Sequence, residues 1–444
     1  MVFKAYDIRG IYGTDLTEEL VYKIGRAFVQ FLKARSVVIG YDMRESTPKL
    51  LDSLIKGITD EGANVIDIGL VSTPISYFAN TFFGVDGSIM LTASHNPKEY
   101  NGLKLCRQNA IPLSGKSGIM DIKEIVEKNE FQPSTNKGGT VKKDGKSEYF
   151  KAMMSHLNTE KKLSFVCDYS NAMGVVELEP LKEYADIIPM YEELNGNFPN
   201  HEANPLKFEL YSNLSEKVRE NDVSFGVMID GDADRAGFVD ENGEIISNDL
   251  MTALIAKDIL SRKGPVKILY DLRSSKIIKE VVESIGGEAT KCRVGHAFIK
   301  QQMRQEKAVF AGELSGHFYF EENTVAESTL LAIIHVMNIL LSTGKKLSEL
   351  IHELKVYAKS EEINLEIEDK ERVLEKLEVF YYKGKSEHLD GLTLEFDDGW
   401  WFNVRASNTE PILRVNIEAD TKEILEKKKY ELLETIQKIV EHKI

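Results

Sequence analysis

The 444-residue chain reads as an α/β protein, with three similar α/β domains built on mixed sheets and a C-terminal α+β domain. Three observations predict this class. Short apolar strands alternate with amphipathic helices through three successive cycles, the pattern of sheets joined by crossover helices. Each cycle sends a polar loop off the end of a strand, where open α/β sheets bind ligands. Beyond about Tyr357 the patterning turns to alternate residues, which fits half-buried antiparallel strands.

In the first cycle, Leu20, Val21, Ile24, Ala27, Phe28, Phe31 and Leu32 recur at helical spacing, with Asp15 and Glu18 as a cap pair. A strand at Val37-Val38-Ile39 follows, then a helix opened by Ser46-Thr47-Pro48 and ended at Gly62, then a strand at Val65 to Ile68. The start signal Ser72-Thr73-Pro74 opens another helix, which leads to the apolar strand Ile89-Met90-Leu91. This domain is expected over residues 1–138.

The second cycle, 139–244, runs from the strand Ser164 to Asp168 to the strand Phe225 to Ile229, and a hairpin turn is expected at Asp240-Glu241-Asn242-Gly243. The third, 245–356, has a helix around Leu250 to Leu260, a strand Val266 to Tyr270, a helix Ser275 to Ile285 and a strand leading into Gly312. The last domain, 357–444, has alternating strands at Glu362 to Ile367 and Leu392 to Phe396, a strand Ile412 to Val415, and a charged closing helix from Thr421.

A net charge of −15 argues against a general nucleic-acid binder, whose affinity rests on Lys and Arg neutralising phosphates. It leaves room for a small phosphorylated ligand in a local basic pocket. Cys106, Cys167 and Cys292 are too few and too scattered for a disulfide framework or a zinc site, so buried reduced thiols are expected. The N-terminal residues lack a signal-peptide apolar region. The longest apolar stretch, Leu330 to Leu341, is broken by His335 and Asn338 and is too short to span a bilayer. A soluble, cytoplasmic protein without a membrane partner is expected.

Two loops carry chemistry. Thr92-Ala93-Ser94-His95-Asn96-Pro97 follows a buried strand, so Ser94 sits at a sheet edge; alone it could be only a turn or cap residue. Asp230-Gly231-Asp232-Ala233-Asp234-Arg235 also follows an apolar strand, and its alternating carboxylates can converge on one hard cation such as Mg²⁺. A calcium loop is excluded, because no glycine follows Asp234 and no glutamate closes a twelve-residue loop.

With Gly312-Glu313-Leu314-Ser315-Gly316-His317 and Arg405-Ala406-Ser407-Asn408-Thr409-Glu410-Pro411, these make four stretches that resemble, in order, the signatures of the α-D-phosphohexomutases. The third is most similar to the phosphomannomutase/phosphoglucomutase branch. The resemblance implies a three-plus-one arrangement of domains around a central cleft. It also implies an enzyme that interconverts hexose 1-phosphate and hexose 6-phosphate, with mannose and glucose as substrates. Ser94 would be its phosphoserine and a hexose 1,6-bisphosphate its intermediate and activator. Asp230, Asp232 and Asp234 would hold Mg²⁺ against the phosphoserine oxygen of Ser94, with Arg235 forked to the same phosphate.

By the same resemblance, Glu313 and Ser315 bind sugar hydroxyls, and His317 either supports that loop or is an ordinary structural histidine. Arg405, Ser407, Asn408, Thr409 and Arg414 would hold the phosphate that is not transferred. Arg9, Lys104, Arg273 and His296 match positions lining the cleft; Lys104, Arg9 and His296 are the candidates for proton transfer, and the sequence does not choose among them. Two departures stand out: Arg273 where many relatives have lysine, and Tyr41 where arginine is frequent. Phosphoglucosamine mutase is the neighbouring alternative, although Leu314 stands where that branch usually has glutamine. A non-enzymatic phosphosugar sensor is an alternative of a different class, and it would not need the serine and all three aspartates intact. Oligomeric state cannot be read from the chain.

Overall fold

The computed structural model describes residues 2–132, 134–158, 161–407 and 412–442. They form two compact units, one of residues 1–248 with 295–349 and one of residues 249–294 with 350–444.

The first unit opens with a seven-stranded mixed sheet. Ser36–Tyr41 lies between Asn64–Leu70 and Gly87–Leu91, parallel to both, because each connection crosses over through a helix. Tyr100–Arg107 then returns antiparallel to Gly87–Leu91 and pairs on its other side with Ile8–Ile11. The short strand Thr140–Lys142 extends the opposite edge by pairing with Asn64–Leu70. Gly87–Leu91 is buried at every position, as a central strand covered on both faces must be.

The helices begin where polar caps allow it. Thr17 caps Glu18–Leu32 by accepting the Leu20 amide at 3.2 Å, a contact worth about 1 kcal/mol. The expected cap pair is therefore corrected: Asp15 instead accepts the Ile11 amide, and Glu18 accepts the Tyr12 hydroxyl at 2.6 Å. Thr47–Asp60 carries Pro48 in its first turn, where the missing N–H costs nothing, but Ser46 makes no side-chain cap bond. Ser72 does cap Thr73–Phe82 by accepting the Ile75 amide. Val21, Ile24, Phe28, Leu50, Leu54 and Ile58 bury the inner faces of the first two helices.

A second sheet of five strands follows, with Phe225–Ile229 beside Leu163–Asp168 and both parallel, and Leu163–Asp168 parallel to Ala185–Met190. Ala236–Asp240 folds back antiparallel on Phe225–Ile229, so residues 230–235 form the connection between two buried strands. The hairpin at Asp240 to Gly243 is present, with Gly243 at φ 75° and its N–H bonded to the Asp240 carbonyl. Phe310–Gly312, Phe318–Phe320 and Ala326–Glu327 make an antiparallel run that carries the third loop. Its helix, Thr329–Thr343, is almost wholly buried, and His335 stacks on Phe320 within that core.

The second unit has a parallel pair, Lys267–Asp271 with Glu288–Cys292, and a six-stranded antiparallel sheet. That sheet centres on Trp400–Ala406 and Ile412–Ala419, with Leu392–Phe396 and Ile363–Glu366 on either side. Lys422–Val440 packs Leu425, Leu432, Ile436 and Ile439 into its core. The three cysteines are buried and none is in a disulfide. Among the described residues no single helix is long and apolar enough to cross a membrane.

Candidate active site

Ser94 lies in the loop beyond Gly87–Leu91, in a left-handed conformation (φ 51°), with its amide bonded to the Thr92 hydroxyl at 2.9 Å. The loop is held from below by Arg44, whose buried guanidinium donates to four carbonyls: Ser94, Asn96, Pro97 and Tyr100. A buried arginine can satisfy its fork this way only where the chain wraps it. The Ser94 hydroxyl lies 3.0 Å from Asp230 Oδ2 and 3.1 Å from His95 Nδ1. Burial, and the charges of Arg235 and Arg9, push His95 well below the ordinary histidine range, so its imidazole is neutral.

Gly231 makes this approach possible. A Cβ at that position would fall 2.2 Å from the Ser94 carbonyl oxygen, so only glycine lets the two loops touch backbone to backbone. Asp230, Asp232 and Asp234 then converge, with ligand oxygens within 4.8 Å of one another and all three residues buried. Asp230 Oδ1 turns the loop by accepting the Asp234 and Arg235 amides. Burial and the two neighbouring carboxylates push Asp230 up, while Lys104 and His317 hold Asp234 down against the cost of burial.

Lys104, on Tyr100–Arg107, spans Asp232 Oδ2 and Asp234 Oδ2 at 2.5 Å each. Burial disfavours its charge, but the two aspartates outweigh that and raise it above the ordinary lysine range. Asp232 Oδ1 and Asp234 Oδ1 remain buried and accept no hydrogen bond, the latter with His317 Nε2 at 3.4 Å and Arg235 Nε at 4.0 Å. Oxygen-only ligands with spare lone pairs suit a hard divalent cation. Asp234, His317 and Glu327 also cluster, but Lys300 pairs with Glu327 at 2.5 Å and Glu313 holds His317, so that trio is already engaged.

The third loop meets the second at an isolated bridge between Arg235 and His317. Arg235 Nε lies 3.1 Å from His317 Nε2, and His317 Nδ1 lies 2.9 Å from both Ser315 Oγ and Glu313 Oε2. Tyr319 donates to the same Glu313 oxygen. Burial and Arg235 work against a charge on His317, yet Asp234 and Glu313 raise it to about 9. His317 therefore ties the Glu313–Ser315 loop to the aspartate loop. Arg9, on Ile8–Ile11, bonds Asn96 Oδ1 and Asp7 Oδ2 at 2.5 Å each. His296 begins the helix His296–Glu306 beside the Tyr6 ring, and burial with the Lys300 and Lys104 charges depresses its basicity well below the ordinary value.

Several supports were invisible to motif reading. Thr73 donates to Asp232 Oδ2 at 2.5 Å and Thr329 donates to the Ala233 carbonyl at 3.1 Å, so two helix N-termini grip the aspartate loop. The serines preceding them meet at Glu177: Ser72 donates to it directly, and Tyr149 donates to it while touching Ser328. Burial, only partly offset by these bonds, raises the Glu177 carboxyl to about 7. His95 stood inside the first motif but had no role assigned from sequence, whereas Arg44 and Glu177 carry no local signal at all.

In the second unit, Arg405 and Arg414 face each other as register partners on adjacent strands. Arg273 follows Lys267–Asp271 and is held by the Asp271 carboxylate at 2.8 Å. All three guanidinium groups converge on Glu362, at 3.4 Å from Arg405 and 3.7 Å from both Arg273 and Arg414. The Ser407 carbonyl accepts from Lys370 at 3.3 Å. Asn408 and Thr409 lie outside the described residues.

Comparison with known proteins matches this chain to four domain descriptions in order. They are the phosphoglucomutase/phosphomannomutase alpha/beta/alpha domains I (residues 1–133), II (147–243) and III (247–357), and the C-terminal domain (362–435). A phosphomannomutase of Methanocaldococcus jannaschii is 40% identical, over 99% of this chain and 98% of its own. One of Vibrio cholerae is 38% identical over 94% of each. The crystal structure of a phosphoglucomutase/phosphomannomutase family protein from Burkholderia thailandensis superposes with a TM-score of 0.91 at 28% identity, covering 99% of this chain and 97% of that one. Four domains in this order define a mutase, an enzyme of the phosphohexose class. The chain belongs to the phosphoglucomutase/phosphomannomutase family.

Proposed function

We propose that the protein interconverts hexose 1-phosphate and hexose 6-phosphate, with mannose and glucose as the sugars, through a phosphoserine at Ser94 and a hexose 1,6-bisphosphate. The observation that carries this reading is the Ser94 hydroxyl 3.0 Å from Asp230, in a cradle of three buried carboxylates. Mg²⁺ held by Asp230, Asp232 and Asp234 beside Ser94 would supply positive charge to the phosphoryl oxygens in transit.

Phosphorylated Ser94 gives its phosphoryl group to a sugar hydroxyl: the P–Oγ bond breaks, the bond from phosphorus to the sugar oxygen forms, and the hydroxyl proton passes to a base. Of the three candidates, Lys104 is held as an ammonium and the guanidinium of Arg9 has no acceptor, whereas His296 is neutral and can take the proton. The released Ser94 oxygen takes up one proton, which balances the one the base accepts from the sugar hydroxyl, and His95 Nδ1 lies 3.1 Å from it. Arg235 steers the phosphoryl oxygens, and Glu313 with Ser315 holds sugar hydroxyls, their loop braced by His317. Arg273, Arg405, Arg414 and the Ser407–Thr409 stretch take the phosphate that stays on the sugar.

The test is a coupled assay of mannose, glucose and glucosamine 1-phosphates, with Mg²⁺ and a trace of hexose 1,6-bisphosphate. Turnover of the mannose and glucose compounds that Ser94→Ala abolishes is expected. Near wild-type turnover in that variant would remove the phosphoserine, and preference for glucosamine 1-phosphate would reassign the substrate.

A further inference from the structure

Two helices of the first unit begin alike. Ser72 caps Thr73–Phe82 by accepting the Ile75 amide at 3.3 Å, and Ser328 caps Thr329–Thr343 by accepting the Leu331 amide at 3.1 Å. A capping serine still has its hydroxyl proton to give. Ser72 donates it to Glu177 Oε2 at 2.5 Å. Ser328 lies 2.9 Å from the Tyr149 hydroxyl, which donates its one proton to Glu177 Oε1 at 2.5 Å, so Ser328 is the donor in that contact. Both helix starts are thus tied to one carboxyl, which is itself fully buried.

The threonines that follow the two serines reach the aspartate loop. Thr73 donates its hydroxyl to Asp232 Oδ2 at 2.5 Å and its amide to the Asp232 carbonyl at 2.9 Å, and Thr329 donates to the Ala233 carbonyl at 3.1 Å. The turn before Gly174–Glu177, the short helix that carries Glu177, adds a third hold, from the Met173 amide to the Gly231 carbonyl at 3.3 Å. Three separate stretches of chain therefore grip residues 231–233, and Glu177 joins all three. An apolar side chain in its place would leave the Ser72 and Tyr149 hydroxyls buried without acceptors.

We infer that Glu177 is a positioning residue for the metal loop: it sets the Thr73 and Thr329 helix starts against each other and so fixes Asp232 for a divalent cation. The inference rests on the Mg²⁺ reading given above. The groups that donate to Glu177 are Ser72, Tyr149 and the Leu330 amide, none of them in the aspartate loop, so it acts through the helix starts. Groups that orient a metal's ligands from outside typically change its affinity by about 10- to 100-fold when removed.

Calorimetric titration of the full chain with Mg²⁺ tests this at pH 6, where the Glu177 carboxyl, raised to about 7, is mostly protonated and glutamine is its neutral isostere. Glu177→Ala is expected to weaken Mg²⁺ binding by about tenfold or more, and Glu177→Gln to stay within threefold of wild type. In turnover, the alanine variant should need more Mg²⁺ while its KM for the sugar phosphate is unchanged. Because the two serines act through one carboxyl, the loss in the Ser72→Ala, Ser328→Ala double variant should fall short of the product of the single losses. That cycle serves if Glu177→Ala does not fold. Mg²⁺ affinity within twofold of wild type in Glu177→Ala, or serine losses that simply multiply, would show that Glu177 only holds the core together and would overturn the inference alone. Mg²⁺ affinity untouched by Asp232→Asn would overturn it together with the metal reading.

Discussion

Ser94 and Asp230 meet at 3.0 Å although 136 residues separate them, and Gly231 is the reason they can. Gly231→Ala would set a Cβ 2.2 Å from the Ser94 carbonyl, a backbone collision that only displacement of the aspartate loop relieves. A misplacement of about 1 Å costs on the order of 100-fold in rate. Steady-state kinetics with a Mg²⁺ titration should therefore show turnover down by about that factor and a higher metal requirement. Turnover within threefold of wild type would mean the two loops need not touch.

Lys104 bridges Asp232 and Asp234 and neutralises part of the buried charge. Removing one partner of a buried pair costs about 3 kcal/mol. Lys104→Gln should accordingly melt several degrees lower in EDTA, and saturating Mg²⁺ should raise its Tm more than it raises that of wild type, since the cation replaces the lost charge. Equal Mg²⁺ shifts in the two proteins would contradict this role.

Glu177 links pH to stability. Its carboxyl is raised from 4.5 to about 7 in the folded protein, so the folded state favours the neutral acid. The stabilisation is complete below pH 4.5 and is lost as pH rises through 7, on the order of 3 kcal/mol across that window. Glu177→Gln cannot ionise. Thermal melts from pH 5 to 8 should show the Tm difference, variant minus wild type, moving in the variant's favour as pH rises. A difference independent of pH would place the charge of Glu177 elsewhere.

Much of the candidate site was legible because its loops are short, contiguous and set after apolar strands: Ser94, the three aspartates and Glu313 all sit in such loops, whereas Arg405 lies within the strand Trp400–Ala406. Helices announced by serine or threonine before proline, as at Ser72 and Ser46, were equally plain, while the cap at Thr17 was misassigned to residues on either side because several polar side chains crowd that start. Tyr100–Arg107, which carries Lys104, escaped as a strand because Asn101, Gly102 and Lys104 interrupt its apolar run. Arg44, Glu177 and Glu362 were silent for a different reason. Each works through partners on distant elements, such as Ser72 with Glu177 across 105 residues, and no local pattern records a pairing that tertiary packing creates.

Transfer of label from hexose 1,6-[³²P]bisphosphate tests the central claim most directly. Incubated briefly with Mg²⁺ and then digested, wild-type protein is expected to carry the label on the peptide containing Ser94, and to pass it to added hexose 1-phosphate at a rate matching turnover. Ser94→Ala should take up none. Label on another residue, or labelled Ser94 that cannot pass its phosphoryl group to the sugar, would contradict the phosphoserine mechanism.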